Sequence, residues 1–190
     1  MSKNPYLQGL DRLSDAQRAG LKRCVGKPLC EADARALSAF YSIVHYDNLP
    51  LWKVEIIFAV VAMTCLWRAE ERKNPRSFID CLTRLVSDEQ VKSEGLNGRL
   101  RELLDTAWHE TDFLNLKLYR LVRRIKTNGD YPDFDELLKD LLRWDHQSKY
   151  IQLRWAREFF GRVKPAESDT DEQEANEASD MQEEETDDAV

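Results

Sequence analysis

Residues 56–67, IIFAVVAMTCLW, constrain the fold more than any other stretch of this chain. The nearest charges, Lys53, Glu55 and Arg68, sit at its ends. A helix that is apolar all round must be packed on every side. The run is shorter than the roughly 20 residues a bilayer requires, so the cover has to come from the rest of the chain. With 190 residues there is room for one domain or two small subdomains around such a helix. Only seven glycines and six prolines leave little turn material for a many-stranded sheet. The expected class is therefore all-α.

Periodicity supplies the partners. Residues 5–13 carry a weak helical pattern. Ser14 with Gln17 three residues on forms a capping box, which predicts a helix over 15–25, with Gly26 and Pro28 as its stop. Lys22 and Arg23 fall near its C-terminal end, where cations suit the helix dipole. Further helices are predicted over 31–44, 52–68, 78–86, 97–107, 111–127, 134–144 and 147–161. The charged stretch 70–76 reads as a linker and 87–95 as a polar loop. The sum is seven to eight helices in a body over 1–164, with an N-terminal helical group (about 5–69) and a C-terminal helical bundle (about 96–163). Trp67, Trp144, Trp155 and Phe159 are assigned to the core.

The stretch 114–126, LNLKLYRLVRRIK, carries the main functional signal. Leu114, Leu118, Leu121, Val122 and Ile125 fall on one arc roughly 100° wide. Lys117, Arg120, Arg123 and Arg124 fall opposite, with no acidic residue in the stretch. One face is buried and a basic face points outward. Lys149, Arg154 and Arg157 extend the basic set from the last helix, although Asp133, Asp135, Glu136 and Asp140 are candidate ion-pair partners for Arg154 and Arg157.

The formal net charge of −7 conceals an uneven distribution. Residues 165–190 hold 12 acidic residues and no basic one, whereas the remainder holds 23 acidic against 28 basic residues. The body is thus basic and carries an acidic tail. The tail has no aromatic residue and too little apolar surface to offset chain entropy, so it is expected to be disordered.

Chemistry-bearing motifs are absent. Cys24, Cys30, Cys65 and Cys81 form no CxxC pair and are expected to be reduced and structural. His109-Glu110 lacks the second histidine of HExxH, and no GxxxxGK[ST], GxGxxG or GxSxG occurs. No cofactor, metal or catalytic role is expected, and the absence of an apolar N-terminal signal region points to the cytoplasm.

The ordered set of stretches 22–44, 77–85, 96–104, 116–126, 133–144 and 151–160 resembles CasB, the small subunit of the type I-E Cascade complex of CRISPR antiviral defence. The resemblance covers the body to about Val163. It implies a non-catalytic, all-helical subunit that meets a second copy of itself, the crRNA-binding backbone subunits and the large subunit, and holds crRNA and target DNA strands without reading sequence. The basic sites of the family fall best on Lys22, Arg23, Arg99 and Arg120, with Lys149 beside them. Where relatives carry arginines before 111–127, this chain has Thr106, Trp108 and His109, and His146 and Gln147 stand where basic residues are usual near the last helix. The long acidic tail also departs from the family.

An R-loop exchanges one duplex for another of similar stability, so modest phosphate contacts tip the balance. Such contacts need cations on rigid elements rather than a base-reading code. Stacking on Tyr119, Tyr150 or Trp108 would add to them. The alternative is a scaffold whose basic face docks an acidic partner protein.

Overall fold

The computed structural model describes residues 5–44, 48–88, 93–107 and 111–162. The tail at 165–190 lies outside them, as do His45, Trp108 and His109. Among the described residues there are nine α-helices: α1 (Pro5–Gln8), α2 (Asp15–Lys22), α3 (Ala34–Tyr41), α4 (Leu51–Thr64), α5 (Phe78–Asp88), α6 (Ser93–Leu104), α7 (Thr111–Thr127), α8 (Phe134–Leu141) and α9 (Tyr150–Phe160). The helix beyond the expected eight is the single turn α1. Three short 3-10 turns complete the set, and no strand occurs among the described residues. The all-α class holds.

Helix α4 is the axis. Val54 and all of Ile56–Thr64 are buried. Its one polar group in that run, the Thr64 hydroxyl, donates to the Val60 carbonyl at 2.8 Å, so no polar group is left unpaired by its burial. Cover comes from both halves of the chain: α4 packs against α1, α2, α7 and α8. Helix α5 in turn holds α7, α8 and α9, and α6 lies on α7. The buried apolar side chains form one cluster from Leu10 to Phe159, with Trp67, Trp144, Trp155 and Phe159 inside it. Helix α7 thus packs on α6, α5 and α4, while α9 lies against α5.

Helix ends follow local chemistry. At α2 the capping box forms, with the Gln17 N–H donating to Ser14 Oγ (3.3 Å) and the Ser14 N–H to Gln17 Oε1 (2.9 Å). Asp33 caps α3 and Asp133 caps α8. Gly129 ends α7 at φ +82°, a conformation that favours glycine. Helix α9 starts at Tyr150 rather than 147, because Lys149 sits at φ 47° in a turn closed by its N–H donating to the His146 carbonyl. Helix α6 starts at Ser93, earlier than the expected loop allowed.

The charged stretch 70–76 is pinned rather than loose. Arg76 and Pro132 form an isolated parallel β-bridge, with the Arg76 N–H donating to the Tyr131 carbonyl at 3.1 Å. Arg72 donates twice to the Trp67 carbonyl and pairs with Asp11 at 3.2 Å. Lys126 pairs with Glu71 at 2.7 Å and lies 5.3 Å from the Trp67 ring centroid. The Trp67 indole N–H donates to the Asp130 carbonyl at 3.0 Å, so the end of α4 is stapled to the α7–α8 turn.

Cys24, Cys65 and Cys81 are buried free thiols. Burial pushes Cys65 up to about 11 and Cys81 to about 12, away from thiolate chemistry. Cys30 is free but exposed, so it plays no part in packing the core. No helix among the described residues is long and apolar enough to cross a membrane.

The polar anchor of the C-terminal helices is Asp140, whose Oδ2 accepts from the Trp155 indole N–H at 2.9 Å and from the Arg154 guanidinium. Asp140→Ala strands both donors and is expected to lower stability by about 2–4 kcal/mol in urea denaturation. Asp140→Asn, which still accepts from Trp155, is expected to lose clearly less.

Candidate nucleic-acid interface

Four of the expected basic residues meet in one place. Arg99 on α6 and Arg120, Arg123 and Arg124 on α7 line a single open groove of about 430 Å³, completed by Leu116, Tyr119 and Thr127. Among the described residues no acidic one lines it. The α7 apolar stripe explains the placement: Leu118, Leu121, Val122 and Ile125 are fully buried, which fixes the helix about its axis and turns the arginine face outward. Arg99, Arg120 and Arg123 are exposed and Arg124 is half-buried. Among the described residues none of the four makes an ion pair.

The N-terminal basic residues join this surface through a glycine. Gly26, at φ +80°, lies so close to Tyr119 that a Cβ there would sit 3.1 Å from the ring Cδ1. The loop after α2 is therefore seated against a residue of the groove. Lys22, Arg23 and Lys27, all exposed, flank this seat in the chain. Arg23 is only loosely held, 3.8 Å from Asp33, with both side chains more than half exposed. Lys27 is not singled out by its sequence context, since it follows the helix stop. It follows Gly26, which makes the long-range contact with Tyr119. The same contact keeps Tyr119 half-buried, as a seat for that loop.

Other expected site residues are engaged elsewhere. Lys117 turns away from the groove: its Nζ donates to Thr106 Oγ1 at 2.8 Å and to the Glu102 carbonyl at 3.3 Å, closing the C-terminal end of α6. Thr106 also accepts, through its carbonyl, the Trp144 indole N–H at 2.8 Å. The residue that stands where relatives carry an arginine is thus an internal anchor. Arg154 pairs with Asp140 and lies 3.9 Å from Glu158, so it holds α9 to α8. Lys149 is exposed at a different groove, shared with Thr106, Trp144, His146 and Gln152. Arg157 is exposed on α9, which packs on α5. Tyr150 sits edge-on to His146 with centroids 5.0 Å apart.

The chemistry open to the arginine groove is charge-assisted hydrogen bonding to an extended anion. Guanidinium forks on two packed helices are pre-positioned for phosphate oxygens. Its described lining holds the four arginines with Leu116, Tyr119 and Thr127, and no carboxylate, histidine or cysteine. Among the described residues no group of three or more His, Cys, Asp and Glu could hold a metal ion.

Residues 17–160 match the family described as CRISPR-associated protein Cse2. That span runs from within α2 to the end of α9 and takes in every described side chain of the groove. A CRISPR-associated protein Cse2 of Thermus thermophilus is 46% identical over 102 residues, which make up 50% of this chain and 60% of the relative. The match therefore spans less than two thirds of that relative's length. The crystal structure of CasB from Thermus thermophilus superposes with a TM-score of 0.66 at 25% identity, covering 82% of this chain and 96% of that one. A chain of a CRISPR RNA-guided surveillance complex gives a TM-score of 0.64 at 22% identity, covering 83% and 88%, a likeness of fold.

The two kinds of basic residue separate by stability. Lys117→Met is expected to cost about 1 kcal/mol in thermal or urea unfolding, through lost hydrogen bonds at the end of α6. Arg120→Gln is expected to change stability by less than about 0.5 kcal/mol. Gly26→Ala is expected to cost about 1–2 kcal/mol, from left-handed backbone strain and the approach of Tyr119.

Proposed function

The chain belongs to the CRISPR-associated Cse2 family, and on that premise we propose that it is a non-catalytic small subunit of a type I-E Cascade, holding nucleic acid on the arginine groove between α6 and α7 and so stabilising the R-loop. The observation that carries this reading is the groove itself: Arg99, Arg120, Arg123 and Arg124 on two packed helices, without acidic lining. The likeness to a chain of an RNA-guided surveillance complex supports a place beside crRNA-binding backbone subunits, a large subunit and a second copy of this chain. The strands within reach in such an assembly are the crRNA and the two strands of the target.

The physics fits a holding role. Each guanidinium that neutralises a phosphate releases condensed counterions, and this gain is indifferent to base sequence. R-loop formation is nearly balanced, so a few such contacts decide its lifetime. Rigid helices fix the backbone in advance, so binding orders only the arginine side chains. Lys22, Arg23 and Lys27 lengthen the track past Tyr119, while Arg157 and Lys149 form separate exposed points of positive charge. Lys117 and Arg154 contribute by holding helices rather than strands.

The test uses the assembled complex bound to target DNA. Arg120→Glu with Arg124→Glu is expected to shorten R-loop lifetime and to lower the log–log salt slope of dissociation by about one per lost phosphate contact. Lys139→Glu, at an exposed position on α8, serves as a control and is expected to leave both unchanged. An unaltered lifetime and salt slope in the double variant would overturn the reading.

A further inference from the structure

We propose that the acidic segment 165–190 of this same chain occupies the arginine groove while the subunit is free, and yields it when a nucleic-acid strand competes. The proposal rests on the reading of the groove as a polyanion site and names an internal occupant for it.

Three observations meet here. The groove gathers Arg99, Arg120, Arg123 and Arg124 with no acidic residue in its lining, and the fold's described residues supply none of them with an ion pair. The segment 165–190 carries 12 carboxylates and no cation, an inverse match in charge on the same chain. The described chain also ends in the right place. Phe160, in the last turn of α9, lies under the Arg101 guanidinium, 5.5 Å from ring centroid to Cζ, and Arg162 pairs with Asp80. Arg101 belongs to α6, the helix that also carries Arg99 into the groove.

Arg101 and Arg99 stand two residues apart, on different faces of α6, so the segment reaches the groove by passing around that helix. The 28 residues that follow Arg162 can extend up to roughly 95 Å, several times the roughly 15 Å radius of gyration of a domain of this size, so carboxylates of 165–190 can reach all four arginines. Tethering makes the contact intramolecular, at an effective concentration on the order of millimolar, so weak ion pairs are populated at any protein concentration. A nucleic-acid strand presents its charges on a regular backbone and gains counterion release, and it displaces the segment without any change in the helical body. The consequence is a filter: the free subunit is screened from stray nucleic acid, and a strand presented by the assembled complex, at high local concentration, is not.

The experiment keeps the full chain. In one variant all twelve Asp and Glu of 165–190 become Asn and Gln, and binding of a mixed-sequence single-stranded oligonucleotide is followed by anisotropy across salt. The neutralised chain is expected to bind about tenfold tighter at low salt, with the gap closing as salt screens the ion pairs. In parallel, the arginine Nε–Hε NMR signals of the two chains are compared without nucleic acid, assigned through Arg120→Gln and Arg124→Gln. Shifted Arg120 and Arg124 signals on neutralisation support the contact, whereas unmoved signals overturn it. Equal oligonucleotide affinity of the two binding chains also overturns it. If neither chain binds the oligonucleotide at low salt, the nucleic-acid reading fails, and the arginine signals still decide where the acidic segment sits.

Discussion

A helix with no polar face can exist in water only if other elements enclose it, and α4 imposes that condition on the whole chain. Its buried run contributes roughly 1.5–3 kcal/mol per large side chain, but only when every side is covered. The N-terminal helices cover part of it and α7 and α8 cover the rest. This explains why the two halves share one core. It also explains why the stretch after α4 is stapled to the α7–α8 turn, through Trp67 to Asp130, Lys126 to Glu71 and Arg76 to Tyr131. Those contacts hold the end of the central helix and the helix carrying most of the groove in one frame.

The groove is a by-product of that frame. Once α7 commits Leu118, Leu121, Val122 and Ile125 to the interior, its arginines have no route inward. Helix α6 packs alongside and adds Arg99, and Gly26 lets the loop after α2 close in on Tyr119. Cations on α6 and α7 thus gather on one side, while Lys117 and Arg154 are consumed as internal ties. A basic helix face in sequence is therefore two populations in space: charges that hold helices together and charges left for an external anion.

Much of this was legible in the chain, and the exceptions share a cause. The period of 114–126, the apolar run of α4 and the Ser14–Gln17 cap are local signals, and the helices they announce are present. The indole cores at Trp144 and Trp155 follow from the same periodicity. What periodicity omits is the identity of the neighbour. Lys117 is captured by Thr106, 11 residues away, which the local pattern does not mark, whereas Arg154 is captured by Asp140, 14 away, one of four acidic candidates among which periodicity does not choose. Arg76 pairs across more than 50 residues with the turn at Tyr131, which is why a stretch that reads as a charged linker is held fast. Arg99 reaches the groove through the packing of α6 on α7. The start of α9 shifts because Lys149 adopts a left-handed backbone, a property no side-chain pattern encodes.

The central claim is that the groove faces a nucleic-acid strand rather than a protein. Site-specific photocrosslinking tests it most directly. A benzophenone side chain placed at Arg123, exposed in the groove, is irradiated in the assembled complex on target DNA, with Lys139 as the comparison position. The account predicts crosslinks from position 123 to a nucleic-acid strand, and none to a strand from position 139. Crosslinks from position 123 confined to a neighbouring protein subunit would contradict it and identify the groove as a protein-docking face.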